Sequence, residues 1–214
     1  MMTILLSDTG KRFNRDWIFR RLTYTFEAGN SYAITGPNGS GKSTLLQAIS
    51  GSMQLSEGKI EYSGKSKKEN DDQLINYTLE DIYQDVSICA PYLELVEEMT
   101  LAEFLSFHQN FKNFIPGISP DKIISIIGLE KAADKQIRNY SSGMKQRVKL
   151  AQCIFSNTSI VLLDEPCTNL DTNGIDLYHK LIEEYCSKRT VIVSSNDKVE
   201  YDFSKNVISI LDYK

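Results

Sequence analysis

Short apolar runs alternate with amphipathic stretches along most of the chain, and this alternation predicts a largely parallel β-sheet covered by helices. Runs typical of buried strands lie at residues 32–35, 159–163, 190–194 and 207–211. Residues 160–163 are all apolar, as expected of a central strand that is buried on both faces. Helical patterns, two of which stop at a glycine, lie at residues 42–50, 101–110, 121–127, 142–155 and 173–186.

The regions outside these runs predict two further parts of the fold. The first thirty residues alternate as antiparallel strands do, with apolar rungs at Trp17, Phe19, Leu22, Tyr24 and Phe26. Residues from about 92 to 139 are rich in helical pattern and are interrupted by proline and glycine, which indicates an inserted helical lobe. The polar stretch at residues 64–73 is predicted to be an exposed loop.

Composition narrows the class of protein and its partners. The 214 residues are 41% hydrophobic and 24% charged, which suits one globular domain. A net charge of -4 argues against nucleic acid as a partner, because a phosphate backbone favours a basic surface. Four widely spaced cysteines without a CxxC pair indicate reduced thiols in a cytosolic protein. Since no 18 consecutive residues are apolar, a role in transport would require a separate membrane subunit.

A glycine-rich loop carries the strongest chemical signal. Residues 36–43 (GPNGSGKS) match GxxxxGK[ST] at every fixed position, after a predicted strand and at the start of a predicted helix. Such a loop wraps a phosphate with backbone N–H groups, and the positive end of the helix faces the same anion. Lys42 is expected to neutralise the β- and γ-phosphates in catalysis, and Ser43 to ligate Mg²⁺. The residues expected to bind ATP here are Gly36, Pro37, Asn38, Gly39, Ser40, Gly41, Lys42, Ser43 and Thr44.

Two acids at the end of a buried strand predict the rest of a catalytic centre. Asp164 and Glu165 directly follow the strand predicted at residues 159–163. A carboxylate at a strand tip beside a phosphate loop is well placed to hold Mg²⁺, which is the role predicted for Asp164. Glu165 is predicted to polarise the attacking water as the general base.

The string YSSGMKQR at residues 140–147 is similar to the signature LSGGQxQR of the ATP-binding cassette ATPases. The positions that match are Ser141, Gly143, Gln146 and Arg147. The positions that depart from it are Tyr140, Ser142 and Met144. With the loop and the acid pair, this string identifies the chain as a member of that family over essentially its whole length. The resemblance implies that Ser141 and Gly143 contact the γ-phosphate of ATP held by an opposite subunit.

The resemblance and the patterns together predict an α/β fold. It comprises a P-loop NTPase core with a mostly parallel sheet, an N-terminal antiparallel β-subdomain and an inserted helical lobe. We expect one domain over residues 1–214. The core is expected at about 1–90 and 157–214, and the lobe at about 92–156.

Two weaker similarities concern the nucleotide. Residues 169–171 (NLD) are similar to the D-loop of the family, which links the two sites of a dimer. Phe13 lies where the family places an aromatic ring against adenine, and Trp17 is the alternative. Either ring also suits a place in the core.

Two departures from the family concern hydrolysis. Pro91 stands where the family has a glutamine, and proline offers no side-chain carbonyl to Mg²⁺ or to water. Asn196 stands where the family has a histidine on the γ-phosphate, and its amide donates hydrogen bonds without carrying a proton. We therefore expect Asn196 to act in catalysis and turnover to be slow but real. The two histidines, His108 and His179, are predicted to lie on the surface.

Three functions fit these features. The first is the ATP-hydrolysing subunit of an ABC transporter, a homodimer or heterodimer that drives a separate transmembrane permease from the cytoplasmic face of the membrane. Residues 92–98 suit either a docking surface for that permease or a buried entry into a helix. The alternatives are a soluble cassette of an assembly complex and a slow, regulatory cassette that senses nucleotide. A motor subunit of this kind carries no information on the cargo or the direction of transport.

Overall fold

The structure is a computed structural model, and it describes residues 2–65, 74–78 and 81–214. These residues form two compact units, which we describe separately. The first unit comprises the described parts of Met1–Ile88 together with Thr158–Asp164 and Lys188–Lys214. The second unit comprises Cys89–Asn157 and Glu165–Ser187. The division predicted from the sequence, with a core to about residue 90 and a lobe at about 92–156, stays a prediction.

The first unit contains two sheets and a helix. One sheet has the strand order β2-β1-β4-β5 and is antiparallel. It is built from β1 (Met2–Phe13), β2 (Asp16–Phe26), β4 (Glu57–Lys65) and β5 (Leu74–Tyr77). The other has the order β6-β7-β8-β3-β9, with β7, β8, β3 and β9 paired in parallel. Its strands are β3 (Ser31–Thr35), β6 (Val86–Cys89), β7 (Ile160–Asp164), β8 (Thr190–Ser194) and β9 (Asn206–Ser209).

These two sheets confirm the predicted α/β fold class. The helix of this unit, α1 (Lys42–Ile49), packs against β7 and β8. Its apolar face buries Leu45, Leu46 and Ile49, which explains why a phosphate loop is followed by a fixed helix. All five residues of β7 are buried, as its uninterrupted apolar run predicts.

The fourth parallel strand is shorter than predicted. The sequence predicts a strand to residue 211, but β9 ends at Ser209 and the chain turns into a 3₁₀ helix at Ile210–Tyr213. The reason is local, because the Ser209 hydroxyl accepts the N–H of Leu211 at 3.3 Å and caps that turn. Of the predicted loop at residues 64–73, residues 64 and 65 belong to β4, and residues 66–73 lie outside the described part of the chain.

The second unit contains four helices, each begun by a polar residue. They are α2 (Leu101–Gln109), α3 (Pro120–Ile126), α4 (Ser142–Phe155) and α5 (Thr172–Cys186). Side chains of Thr100, Ser119, Ser141 and Asp171 cap their first turns. Within the described ranges, no helix is both long and apolar enough to cross a membrane.

One histidine of the second unit was wrongly predicted to lie on the surface. His108 on α2 is half-buried, and its ring nitrogens lie 2.8 Å from Ser156 Oγ and 3.1 Å from Gln152 Nε2. Burial, aided by the charge of Lys112, lowers the pKa of His108 to about 4. His108 is therefore a neutral packing residue between α2 and α4.

Candidate functional site

The phosphate-binding loop of the first unit is fixed by glycine conformations and close packing. Gly36 and Gly41 have φ angles of 146° and 100°, which side chains of L-residues rarely allow. A Cβ at Gly36 would lie 2.6 Å from Ile210 Cγ2, and one at Gly41 would lie 2.3 Å from Ile18 Cγ2. The loop therefore requires glycine at both positions, independently of any ligand.

Lys42 lies across this loop. Its side chain is largely buried, and its ammonium donates to the carbonyl oxygens of Gly36 at 2.7 Å and Pro37 at 3.4 Å. Lys42 is also the first residue of α1, whose N-cap is Gly41, and no described side chain caps that helix. The first N–H groups of α1 are thus available to an anion, next to a positive charge that the loop already holds in place.

Asp164 lies at the same edge of the parallel sheet. It ends β7 and is in register with Ser194 at the end of β8, which in turn is in register with Ile34 at the end of β3. The residue is 2% exposed, and its Oδ1 accepts no hydrogen bond from any described residue. A buried carboxylate oxygen without a partner is costly, and a hard cation removes that cost. This buried carboxylate therefore suits a hard cation such as Mg²⁺, the role predicted for Asp164, while Ser43, the other predicted ligand, lies in the first turn of α1.

Asn196 follows β8 and contacts the loop directly. Its Oδ1 accepts the N–H of Gly36 at 3.1 Å, although the two residues are 160 positions apart. Because that backbone group is a donor, the amide oxygen must face it, and the amide nitrogen is left to donate elsewhere. The residue is exposed, so this donor faces solvent beside the phosphate loop.

The structure also separates the two aromatic candidates for adenine. Phe13 ends β1 and is 47% exposed, with Lys11 Nζ 5.1 Å from its ring centroid. The ring of Trp17 is covered by the guanidinium groups of Arg12 at 5.6 Å and Arg20 at 4.4 Å. Phe13 therefore offers more free ring surface than Trp17 does.

The signature string lies in the second unit, at the start of α4. Ser141 is the N-cap, and its hydroxyl accepts the N–H of Met144 at 3.3 Å. A Cβ at Gly143 would lie 3.0 Å from the carbonyl oxygen of Asn169, so the helix start and the NLD segment are in close contact. Tyr140 is buried, and its hydroxyl donates to the Ala132 carbonyl at 2.7 Å. Two of the departures from the family signature are thereby explained, because Tyr140 fills the core and Met144 contributes its backbone.

Glu165 is also part of the second unit, and its backbone is strained. Its φ angle is 45°, in the left-handed region that non-glycine residues seldom occupy. The segment is held from α4, since Gln146 is buried and its Nε2 donates to the Pro166 carbonyl at 2.6 Å. A tight turn follows, in which the N–H of Thr168 reaches the Glu165 carbonyl at 3.2 Å. The packing therefore fixes an unusual conformation at the residue predicted to be the general base.

An ion pair ties α4 to the segment before α5. Arg147 lies 3.3 Å from Asp171, and Asp171 accepts the N–H of Gly174 at 2.8 Å as the cap of α5. A cavity of about 650 Å³ opens at this place. Its lining includes Ser141, Gly143 and Arg147, together with Lys131. The signature residues thus face an open cavity whose lining includes two cationic side chains.

Pro91, which replaces the glutamine of the family, lies in the second unit and is exposed. Its carbonyl oxygen accepts a hydrogen bond from Lys149 Nζ at 3.1 Å. The contact attaches Pro91, at the start of the segment that leads to α2, to α4. Because the acceptor is a backbone carbonyl, any residue type at position 91 could make this contact.

The structure brings part of the predicted site together within the first unit. The phosphate loop, Asp164 and Asn196 share one edge of the parallel sheet, while Ser141, Gly143 and Glu165 belong to the second unit. Sequence reasoning missed the contacts of Gln146 and Lys214. For Lys214, whose Nζ donates to Ser40 O at 2.6 Å, no local pattern exists, since 174 positions separate the two residues.

Comparison with known proteins gives consistent relatives. The sequence model of the family described as "ABC transporter" matches residues 19–168. The Bacillus subtilis (strain 168) protein named "Uncharacterized ABC transporter ATP-binding protein YybJ" is 32% identical over 209 residues, covering 94% of this chain and 86% of the relative. The Reclinomonas americana "Cytochrome c biogenesis ATP-binding export protein CcmA" is 29% identical, covering 95% and 88%.

Solved structures share the fold. The dimeric structure of MJ0796, described as a bacterial ABC transporter cassette, superposes with a TM-score of 0.77 at 23% identity. The match covers 96% of this chain and 93% of that one.

Proposed function

Because the chain belongs to the ABC transporter family as an ATP-binding cassette, we propose that it dimerises around Mg-ATP, hydrolyses it and thereby drives a separate membrane permease. The observation that carries the proposal is the phosphate loop of the first unit, with a buried Lys42, an uncapped helix start and Asn196 bonded to Gly36. Members of this family bind ATP, dimerise and work with membrane subunits.

In this proposal the first unit binds the nucleotide. The backbone N–H groups of residues 36–44 and the Lys42 ammonium hold the phosphates, and Phe13 stacks on adenine. Ser43 and Asp164 hold Mg²⁺, which neutralises negative charge on the β- and γ-phosphates when bound. Asn196 donates its amide N–H to the γ-phosphate while its oxygen stays on Gly36.

Hydrolysis is assigned to Glu165 and the signature face. Glu165 takes the proton of the attacking water as the general base, and the unusual backbone conformation there sets the direction in which its side chain leaves the chain. Ser141 and Gly143 at the positive start of α4 bind the γ-phosphate of the ATP held by the opposite subunit. The cavity of about 650 Å³ beside them has room for part of that nucleotide. One ATP between two subunits is what makes the dimer depend on nucleotide.

The permease is proposed to dock on residues 92–98 of the second unit. Tyr92, Leu93 and Val96 are 45%, 36% and 40% exposed, whereas Leu95 points into the core. A loop that exposes several large apolar side chains favours a protein partner over solvent. Docking there would hold the chain on the cytoplasmic face of the membrane.

A slow, nucleotide-sensing cassette is the second candidate, favoured by Asn196 and Pro91. Losing one γ-phosphate donor costs on the order of 10²-fold in an electrostatically driven site. Under this candidate ATP still binds and closes the dimer, but the isolated protein releases little phosphate.

The test follows phosphate release from Mg-ATP by the purified protein, with Glu165→Gln as the variant. We expect slow release by the wild type and a loss of about 10²-fold in the variant, with ATP affinity retained. Asp176→Asn, at an exposed position of α5, is the control for removal of a carboxylate. An equal rate in the Glu165→Gln protein would remove Glu165 from its role. Binding without any release by the wild type would favour the sensing cassette.

The permease proposal has its own test. The protein is isolated from detergent-solubilised membranes through an affinity tag, beside a Tyr92→Asp and Val96→Asp variant. Recovery of a multi-spanning protein with the wild type, reduced in the double variant, is the expected result. Recovery of soluble proteins alone would favour an assembly complex instead.

A further inference from the structure

Lys214 contacts the outside of the phosphate loop. Its ammonium donates to the carbonyl oxygen of Ser40 at 2.6 Å and to that of Ile18 at 2.8 Å. Ser40 belongs to the loop, and Ile18 lies on β2 of the antiparallel sheet. One cation therefore connects the loop to β2, and all three residues belong to the first unit.

The geometry of the peptide bond gives this contact a consequence for phosphate binding. Among the described residues no peptide bond is cis, so the carbonyl of Ser40 and the N–H of Gly41 point in opposite directions. An ammonium that fixes the carbonyl therefore fixes the direction of the N–H as well. The Gly41 N–H stands at the start of α1, in the part of the loop that faces a phosphate.

The charge of Lys214 adds to this effect. A hydrogen bond from a charged donor polarises the peptide group that accepts it, which makes the N–H on the other side a stronger donor. Gly41 also lies close to Ile18, since a Cβ built on it would be 2.3 Å from Ile18 Cγ2, and Lys214 holds the carbonyl of that same residue.

The segment that carries Lys214 supports the loop at a second point. Ile210 is fully buried, and its Cγ2 is the nearest obstacle to a Cβ at Gly36, at 2.6 Å. Residues 210–214 thus contact the loop at its first glycine through Ile210 and near its last through Lys214. Contacts at both ends of the loop constrain its conformation more than a single surface hydrogen bond would.

We propose that Lys214 is a positioning residue for the triphosphate of ATP, acting through the Ser40–Gly41 peptide. It touches no phosphate itself. The inference rests on the proposed function, in which this loop binds ATP.

The test compares Lys214→Met, which keeps the length and loses the charge, with Lys214→Arg, which keeps a charged donor. Dissociation constants for Mg-ATP and for inorganic tripolyphosphate are measured by calorimetry well below the melting temperature. We expect the Met variant to bind both ligands about tenfold more weakly, and the Arg variant to stay within about threefold of the wild type. Lys205→Met, at an exposed lysine of the same unit, should bind as the wild type does.

A merely structural role would give a different result. It would lower the melting temperature of Lys214→Met without changing either dissociation constant of the folded protein, and that result would overturn the inference. Equal weakening in the Met and Arg variants would overturn it too, because the charge would then not matter. If the wild type itself bound neither ligand, the proposed function would fail and this inference with it. If the wild type bound both ligands and the Met variant bound them equally tightly, the inference on Lys214 would be overturned while the proposed function would stand.

Discussion

The phosphate loop and the signature segment do the same physical task in different ways. Both present the start of a helix to a phosphate, the first at α1 and the second at α4. The loop matches its motif at every fixed position, because Gly36 and Gly41 adopt φ angles that other residues rarely allow and lie against Ile210 and Ile18. The signature departs from its motif at three positions and still forms a capped helix start.

The difference shows which structural feature each motif depends on. The phosphate loop depends on its backbone conformation, so few residue types fit its fixed positions. The signature depends on the hydroxyl of Ser141 and on the close backbone contact at Gly143. The other positions are free to take structural roles, as Tyr140 does when it bonds to Ala132.

The largest expected effect comes from a change in the phosphate loop. Lys42→Ala removes the ammonium that the loop carbonyls hold, and we expect Mg-ATP affinity to fall by at least about 10²-fold. Calorimetry measures it, with circular dichroism to show that the variant folds. Lys180→Ala is the matched control, since that ammonium pairs with Glu184 on an exposed face of α5. If Lys42→Ala bound Mg-ATP as tightly as the wild type, the assignment of this loop as the ATP-binding site would be contradicted.

The next test asks which end of the Asn196 amide matters. Asn196→Asp keeps an acceptor for the Gly36 N–H but loses the amide donors and adds a negative charge. We expect kcat for phosphate release to fall on the order of 10²-fold in Asn196→Asp, and less in Asn196→Ala. Should the Asp variant hydrolyse ATP as the wild type does, Asn196 only supports the loop.

Gly143→Ala tests the signature side. Its Cβ would lie 3.0 Å from the Asn169 carbonyl, at the face proposed to meet the second nucleotide. We expect phosphate release and ATP-dependent dimerisation to fall about tenfold, while the affinity of the monomer for ATP stays as in the wild type. Ser106→Ala, at an exposed site on α2, is the control. A parallel loss of monomer affinity would contradict the separate roles of the two helix starts.

The smallest effect concerns a residue at which the signature departs from the family. Tyr140→Phe removes a buried hydroxyl that donates to Ala132, and we expect it to lower the free energy of unfolding by about 1 kcal/mol. Urea titration measures this change, and phosphate release should stay unaltered. A large loss of activity instead would mean that Tyr140 belongs to the site.

Periodicity and motifs predicted much of this architecture, because the features they report are local. The apolar run at residues 160–163 and the loop before α1 carry their structural meaning within a few residues. The end of β9 was not predicted, since it depends on one hydroxyl, that of Ser209, competing for a backbone N–H. His108 was misassigned because its burial depends on Ser156 and Gln152, which are distant in sequence.

The features of the candidate site likewise divide into local ones, which the sequence predicts, and distant contacts, which it does not. The phosphate loop, Asp164 and Glu165 follow from motif and strand context, and their roles stay predictions until the variants are measured. The hydrogen bonds from the Gly36 N–H to Asn196 and from Lys214 to the Ser40 carbonyl join residues more than 150 positions apart, so no window of sequence contains them. The strain at Glu165 is a property of packing that composition does not report.

The hydrogen bond from Gln146 to the Pro166 carbonyl has a consequence for cooperativity. The helix whose first turn is proposed to bind the partner's nucleotide also holds Pro166, the residue next to the proposed general base of its own subunit. Thermodynamic linkage is reciprocal, so any factor by which nucleotide at one of these sites changes the binding affinity of the other applies equally in the opposite direction. Two sites linked through such a helix would not bind nucleotide independently.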